Sequence, residues 1–316
     1  MRRLHAESEW MNGTSMIGKR QFLAGLGSGL GVMVTRSALA QIHAPTPPGR
    51  KQVPQRRART TKLFKAPEFY PNALAIPDNS DAGIWIAQQK LKGIQASGSG
   101  VPEQPGPDQV WLMDWNGKVL KTYSSASQVT SGLAVSDTSL YVIANNETDY
   151  PPPYTGVHNL DVKTGKTRWV KQIPLGGGGT HGAQWHDGKL WIIASRLNCM
   201  IRVDPESWTC DYAIRIRNDT PDTMRSHDMT FDDQGFIWLA TANSSKSYAE
   251  GVQGLSKYDP KTGEVLEQVT LEPGSCDPHG LGFYKGAFIG CDAGHHPGWP
   301  DKDGPGVGWI FRIELI

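Results

Sequence analysis

The stretch GGGGTHGAQWHDGKLWIIAS, Gly176 to Ser195, decides the fold. Four consecutive glycines are costly to order, because glycine loses more backbone freedom on folding than any other residue. A bare linker has no need of the histidine, His181, that ends this one. After it come two short apolar runs parted by the turn residues Asp187 and Gly188. Short apolar runs bounded by Asn, Asp, Gly or Pro read as β-strands.

Four other phrases share the pattern. NALAIPDN from Asn72, SGLAVSDT from Ser131, HDMTFDDQ from His227 and HGLGFYKG from His279 align with HGAQWHDG from His181. Each is followed by a second apolar run, then by a third that ends in a polar turn; the first four copies continue into a fourth. Four antiparallel strands recurring every 46 to 59 residues predict an all-β chain, a β-propeller of five four-stranded blades. The fifth copy stops at Ile316 after its third strand, while TKLFKA, from Thr61, has no copy of its own. Pairing that N-terminal strand with the last blade as its missing outer strand closes the ring and leaves no half-built edge.

The chain has 316 residues, with 36 Gly, 22 Pro and 11 Trp, enough for one large domain. Lys19-Arg20, the mild apolar run QFLAGLGSGLGVMV and Ala38-Leu39-Ala40 make residues 1–40 an export signal cleaved after Ala40. KRQFLAG resembles a twin-arginine signal with Lys in the first basic slot, and the ordinary secretory route stays open. The expected partners in transit are thus the twin-arginine or secretory export machinery, and the expected compartment is the periplasm. Residues 41–60 are Pro-rich and basic without an acid, which reads as a solvated linker; residues 61–316 form the propeller. That domain holds 22 Lys and Arg against 29 Asp and Glu, so nothing favours a nucleic acid as partner. No apolar run reaches the ~18 residues of a membrane span, so the mature form is expected to have no membrane partner.

In a propeller the first strand of each blade lines the central channel, so Asn72, Ser131, His181, His227 and His279 form a ring at one height. The glycine run is the crossover that delivers His181 to it. The end of each second strand lies on the same face, and four of the connections leaving it are long. Loops on a rigid scaffold are the usual place for function. Several histidines facing one axis suit a divalent metal through neutral imidazole nitrogens, with His181, His227 and His279 as ligands. Glu147 and Arg196 end second strands on this face, and His295 and His296 lie in the last long loop; these are the candidate substrate contacts. Asp228 follows His227 and, by strand alternation, is expected to point the other way. Trp85, Trp191 and Trp238 are expected in the core between blades. Cys276 and Cys291 are expected to bridge, since both fall on the histidine face.

THG, SHD and PHG at blade starts, with the YDPKTGE hairpin, make residues 62–316 resemble the streptogramin (virginiamycin B) lyase-like and NHL-type propellers. The resemblance implies a magnesium-assisted elimination that opens a cyclic depsipeptide. Carried over by position, its two histidines are His227 and His279, and its carboxylate slot falls at Asp292, an Asp where the family has Glu. The triplet His181, His227 and His279 also looks like the zinc site of peptidyl-hydroxyglycine lyase, another propeller. The expected function is a periplasmic, metal-dependent lyase acting on a small-molecule substrate, with His279, His227 and Asp292 catalytic. A metal-assisted lactone or ester hydrolase, as in gluconolactonase-like propellers, and a non-catalytic binding propeller are the alternatives.

Overall fold

The computed structural model describes residues 53–78, 80–91, 103–145, 155–176, 179–217, 224–243, 252–293 and 308–316. They belong to one compact unit of the chain, Ser37–Ile316. The signal segment, Glu147, His295 and His296 lie outside the described residues. Among the described residues the only helix is three short 3-10 turns, and the rest of the regular structure is strand.

Strand β1 is Gln55–Lys65. The first meander is β2 Pro71–Ala75, β3 Ile84–Gln88, β4 Asp108–Met113 and β5 Val119–Ser125. The second is β6 Thr130–Val135, β7 Ser139–Ala144, β8 Val157–Asp161 and β9 Thr167–Lys171. The third is β10 Thr180–His186, β11 Lys189–Ala194, β12 Cys199–Asp204 and β13 Thr209–Arg215. The fourth is β14 Met224–Phe231, β15 Ile237–Asn243, β16 Val252–Tyr258 and β17 Val265–Leu271. The last is β18 Gly280–Tyr284, β19 Ala287–Cys291 and β20 Trp309–Leu315. The first three meanders are separate four-stranded sheets, and the remaining strands form one sheet in the order β14-β15-β16-β17-β1-β20-β19-β18. The leading strands pack in a closed cycle: β2 on β6, β6 on β10, β10 on β14, β14 on β18 and β18 on β2. Four-stranded antiparallel units arranged around their first strands are the architecture of a β-propeller.

The core lies between neighbouring sheets. Trp85 packs with Leu133, Leu140 and Leu160 of the next meander. Trp191 packs with Met229, Phe231 and Ile237, and Trp238 with Leu281, Phe288 and Phe311. The three tryptophans therefore sit where their position in the second strands places them. The tight turns are capped by their own acids: Asp161 Oδ1 accepts the amides of Lys163 and Thr164, and Asp204 Oδ1 those of Glu206 and Ser207.

Strand β1 pairs antiparallel with β20, from Ala58 opposite Leu315 to Lys65 opposite Trp309. It begins at Gln55, six residues before Thr61 and inside the stretch that reads as linker. Gln55 to Ala58 also pair in parallel with Gln268 to Leu271 of β17, so β1 joins the fourth meander to the last within one sheet. The alternation that marks a half-buried strand is missing because β1 is almost wholly exposed, with Ala58 its one fully buried residue. Its basic residues have partners instead: Arg56 meets Glu267 at 3.1 Å, Arg57 meets Glu272 at 3.2 Å and Arg59 meets Glu314 at 3.0 Å.

Candidate functional site

The five equivalent positions at the leading-strand starts fall into two kinds. Asn72 Nδ2 donates to the Thr130 carbonyl at 3.0 Å, and Ser131 Oγ donates to the Thr180 carbonyl at 2.9 Å. Each therefore ties its strand to the next strand round the ring. The other three positions are histidines, each more than nine-tenths buried. His181 and His227 meet edge to face with ring centres 4.8 Å apart. His227 and His279 have ring centres 4.4 Å apart at 57°. The structure thus gathers His181, His227 and His279 into one cluster contributed by β10, by β14 and by the residue before β18.

Irregular pairing helps to aim these side chains. The register shifts between Pro71 and Ala73, between Thr130 and Gly132, between His181 and Ala183, and between Ser226 and Met229. A bulge re-aims the side chain it carries. In β14 it breaks the alternation that would send Asp228 away from the axis. Asp228 is instead fully buried among the leading strands: its Oδ1 accepts the Met229 amide at 2.9 Å and its Oδ2 the Leu281 amide at 3.0 Å. The amides of Leu74 and Ala183 also donate to it, so the carboxylate joins β2, β10, β14 and β18. Complete burial pushes its pKa well above the carboxylate range, against the pull of those amides. The glycines beside the histidines make this approach possible. A Cβ on Gly182 would collide with Asp228 Oδ1 and Cα, and one on Gly280 would lie 2.6 Å from Cys291 Sγ and 2.9 Å from the Leu74 nitrogen.

The acid that reaches the cluster is one that sequence reasoning missed. Asp277 Oδ2 lies 3.0 Å from His279 Nδ1, and both side chains are buried. The corner Asp277-Pro278-His279 folds this acid back: the His279 amide donates to the Asp277 carbonyl at 3.1 Å and to the Cys291 carbonyl at 2.9 Å. The proline, with its fixed φ, favours so tight a corner. An Asp two residues before a ring histidine, with Pro between, was the available signal. Beside it, burial first and the Asp277 charge second push the Tyr70 phenol above its usual range.

Asp292 follows β19 on the same face and is buried. Its amide donates to the Trp309 carbonyl at 2.8 Å, and its carbonyl accepts the Gly308 amide at 3.0 Å. Burial, then the Asp292 charge, push the Cys276 thiol up to about 12. Arg196 is exposed in the turn after β11. Its side chain crosses Gly179, whose φ of 67° and lack of a Cβ give it room. The expected Cys276–Cys291 bridge is absent, and all four cysteines are free thiols. Register explains this. Cys291 pairs with Gly280 and turns its thiol to the Pro71 carbonyl, whereas the Cys276 amide is bound by Thr60 of β1.

Three imidazoles with a carboxylate beside one of them are donor types that suit a divalent metal. Imidazoles sharing one zinc at nitrogen distances of about 2.0–2.1 Å have ring centres roughly 5 Å apart. The observed spacings of 4.8 and 4.4 Å are those of rings in direct contact. As the side chains stand, no group of three or more His, Cys, Asp or Glu among the described residues converges on one point.

The fold and this site define a β-propeller with a histidine cluster at its axis. No protein-family model matches the chain, and no curated protein does. Solved propellers are similar in structure. Glutaminyl cyclase from Myxococcus xanthus superposes with a TM-score of 0.55 at 12% identity, over 84% of this chain and 98% of that one. Regucalcin from Agrobacterium tumefaciens, a calcium-binding protein, gives 0.47 at 14% identity, over 84% and 96%. A catalytically inactive virginiamycin B lyase from Staphylococcus aureus, with quinupristin, gives 0.41 at 16% identity, over 80% and 69%. At such identities these likenesses concern the fold alone.

Proposed function

We propose that the chain is a five-bladed, metal-dependent lyase, exported to the periplasm, that acts on a small molecule at the histidine cluster. The observation that carries this is the juxtaposition of three buried imidazoles with Asp277 3.0 Å behind one of them. His181, His227 and His279 would hold a divalent cation, zinc or magnesium, which when bound supplies polarisation of a substrate carbonyl. When two of the three hold the cation, the third keeps its lone pair and takes the proton α to that carbonyl; His279 and His227, in ring contact with each other, are the proposed bases, with Asp292 as the nearby carboxylate. Loss of a β leaving group completes the elimination. Asp292 adds negative charge on the same face, and Arg196, Glu147, His295 and His296 are the proposed substrate contacts. Phe69, Leu175 and Leu197 precede or follow strands at this face and are exposed, which suits a substrate with an apolar part.

The same Asp–His pair suits activation of water, so hydrolysis of a lactone or other ester is the second reading. The test has two stages. Mature protein purified without chelators should contain zinc or magnesium in stoichiometric amount. Cyclic depsipeptides and lactones are then incubated with it in heavy-oxygen water. Turnover without solvent oxygen in the product supports the lyase; incorporated oxygen makes it a hydrolase. Metal-free protein with no turnover would leave a binding propeller.

A further inference from the structure

The corner Asp277-Pro278-His279 sets one imidazole nitrogen apart from the other. Asp277 Oδ2 stands 3.0 Å from Nδ1 of His279, at ion-pair distance though out of line for an N–H···O bond as the side chains stand, and the two side chains are 1% and 5% exposed. A carboxylate beside one ring nitrogen holds the proton there and leaves the lone pair on the other. The ring of His279 packs against that of His227. The backbone keeps the geometry in place through the two bonds made by the His279 amide and through the proline between acid and base.

We infer that Asp277 is the positioning residue of the site: it fixes His279 as the Nδ1–H tautomer and so presents an unprotonated Nε2 as the cluster's metal donor or base. The identity of the task rests on the proposed lyase function; the tautomer does not. Asp277 itself touches no reacting atom. Its effect is to keep His279 in one of two neutral forms, only one of which has a lone pair on Nε2.

The test uses the full mature chain labelled with nitrogen-15 at histidine, free of metal. Long-range proton–nitrogen correlation spectra report which nitrogen of each imidazole carries the proton, and the His279 signals are assigned by their loss in His279→Gln. The wild type is expected to show His279 protonated at Nδ1. Asp277→Ala is expected to shift it to a mixture rich in Nε2–H, and to weaken zinc binding about 10–100-fold in a titration with zinc alone. Asp277→Asn keeps an oxygen acceptor and is expected to retain most of the Nδ1–H form. A residue with only a structural role would lower the melting temperature of Asp277→Ala without altering the tautomer. The inference is overturned if wild-type His279 carries its proton on Nε2, or if the tautomer is unchanged in a folded Asp277→Ala. If that variant fails to fold, the wild-type spectrum decides alone. A changed tautomer with unchanged zinc affinity supports the positioning role and removes the metal reading.

Discussion

The ring at the axis has two arcs built on one repeat. Across Asn72 and Ser131 the side chains are used up as ties to the next strand's carbonyl. Across His181, His227 and His279 the side chains face one another, and the tying is done one residue further on. There Asp228 collects amides from neighbouring strands, with Gly182 and Gly280 against them. The difference shows two ways of building one ring: at the first two positions the polar side chains bond the neighbouring strand, and at the histidine positions a buried carboxylate bonds the strands while the imidazoles pack on one another.

The largest effect should come from the group that holds the histidine arc. Asp228→Ala orphans two or more buried amides, each worth roughly 1–3 kcal/mol, so a loss of about 2–6 kcal/mol is expected in urea unfolding. The loss should depend on pH. The folded pKa of Asp228 is raised by burial, so its contribution is fully present below the unfolded value of about 3.9 and declines as pH rises through the folded one. The gap between wild type and Asp228→Ala should therefore be widest near pH 4 and narrow towards neutrality. A gap that widens with pH would mean that the amides, not burial, dominate this carboxylate.

The next test compares glycines at the same repeat position in the two arcs. A Cβ on Gly182 collides with the Asp228 backbone and side chain and comes within 2.7 Å of the His227 carbonyl. A Cβ on Gly132 meets the His181 carbonyl at 3.0 Å and Ile143 Cβ at 3.2 Å, contacts that a small shift relieves. Gly182→Ala should cost about 3 kcal/mol or more and Gly132→Ala about 1 kcal/mol. Equal costs would mean that the histidine arc is packed no tighter than the other.

Much of this architecture was legible in the sequence because it repeats. The phrases from Asn72 to His279 mark every leading strand, and Trp85, Trp191 and Trp238 mark the interfaces between sheets. What escaped was local and irregular. A structural role for Asp228 was legible, but its direction was not, because alternation assumes an unbroken ladder and β14 carries a bulge between Ser226 and Met229. Asp277 lies in the crossover before the repeat phrase, where no alignment of copies draws attention to it. The first part of β1 was missed because an exposed strand has no apolar period. Proximity on one face suggested a Cys276–Cys291 bridge, but pairing register, not face, decides which atoms meet.

Function and stability should separate cleanly at the ring itself. Asn72→Ala removes a tie to Thr130 and should lower stability by about 1 kcal/mol while leaving zinc affinity unchanged. His181→Ala should do the reverse, weakening zinc binding by tenfold or more with a small change in melting temperature. Paired zinc titrations and thermal melts of the two variants decide this. If Asn72→Ala weakened zinc binding as much as His181→Ala, the division into two arcs would be wrong.

The smallest effect should lie at the outer seam, far from the ring in the order of strands. Arg59 meets Glu314 at 3.0 Å, but its side chain is 62% exposed, so water and salt screen the pair. Such pairs are worth about 0.2–1 kcal/mol at most. The strand is held to β20 by a ladder from Ala58 to Lys65 and needs no single ion pair. Arg59→Ala should therefore shift the melting temperature by a degree or two, less at high salt, and leave zinc affinity and any turnover untouched. The contrast with Asp228 tests the same physics at the other extreme of burial. A large, salt-insensitive loss in Arg59→Ala would show that closure of the ring at β1, rather than the carboxylate at the axis, limits the stability of the whole propeller.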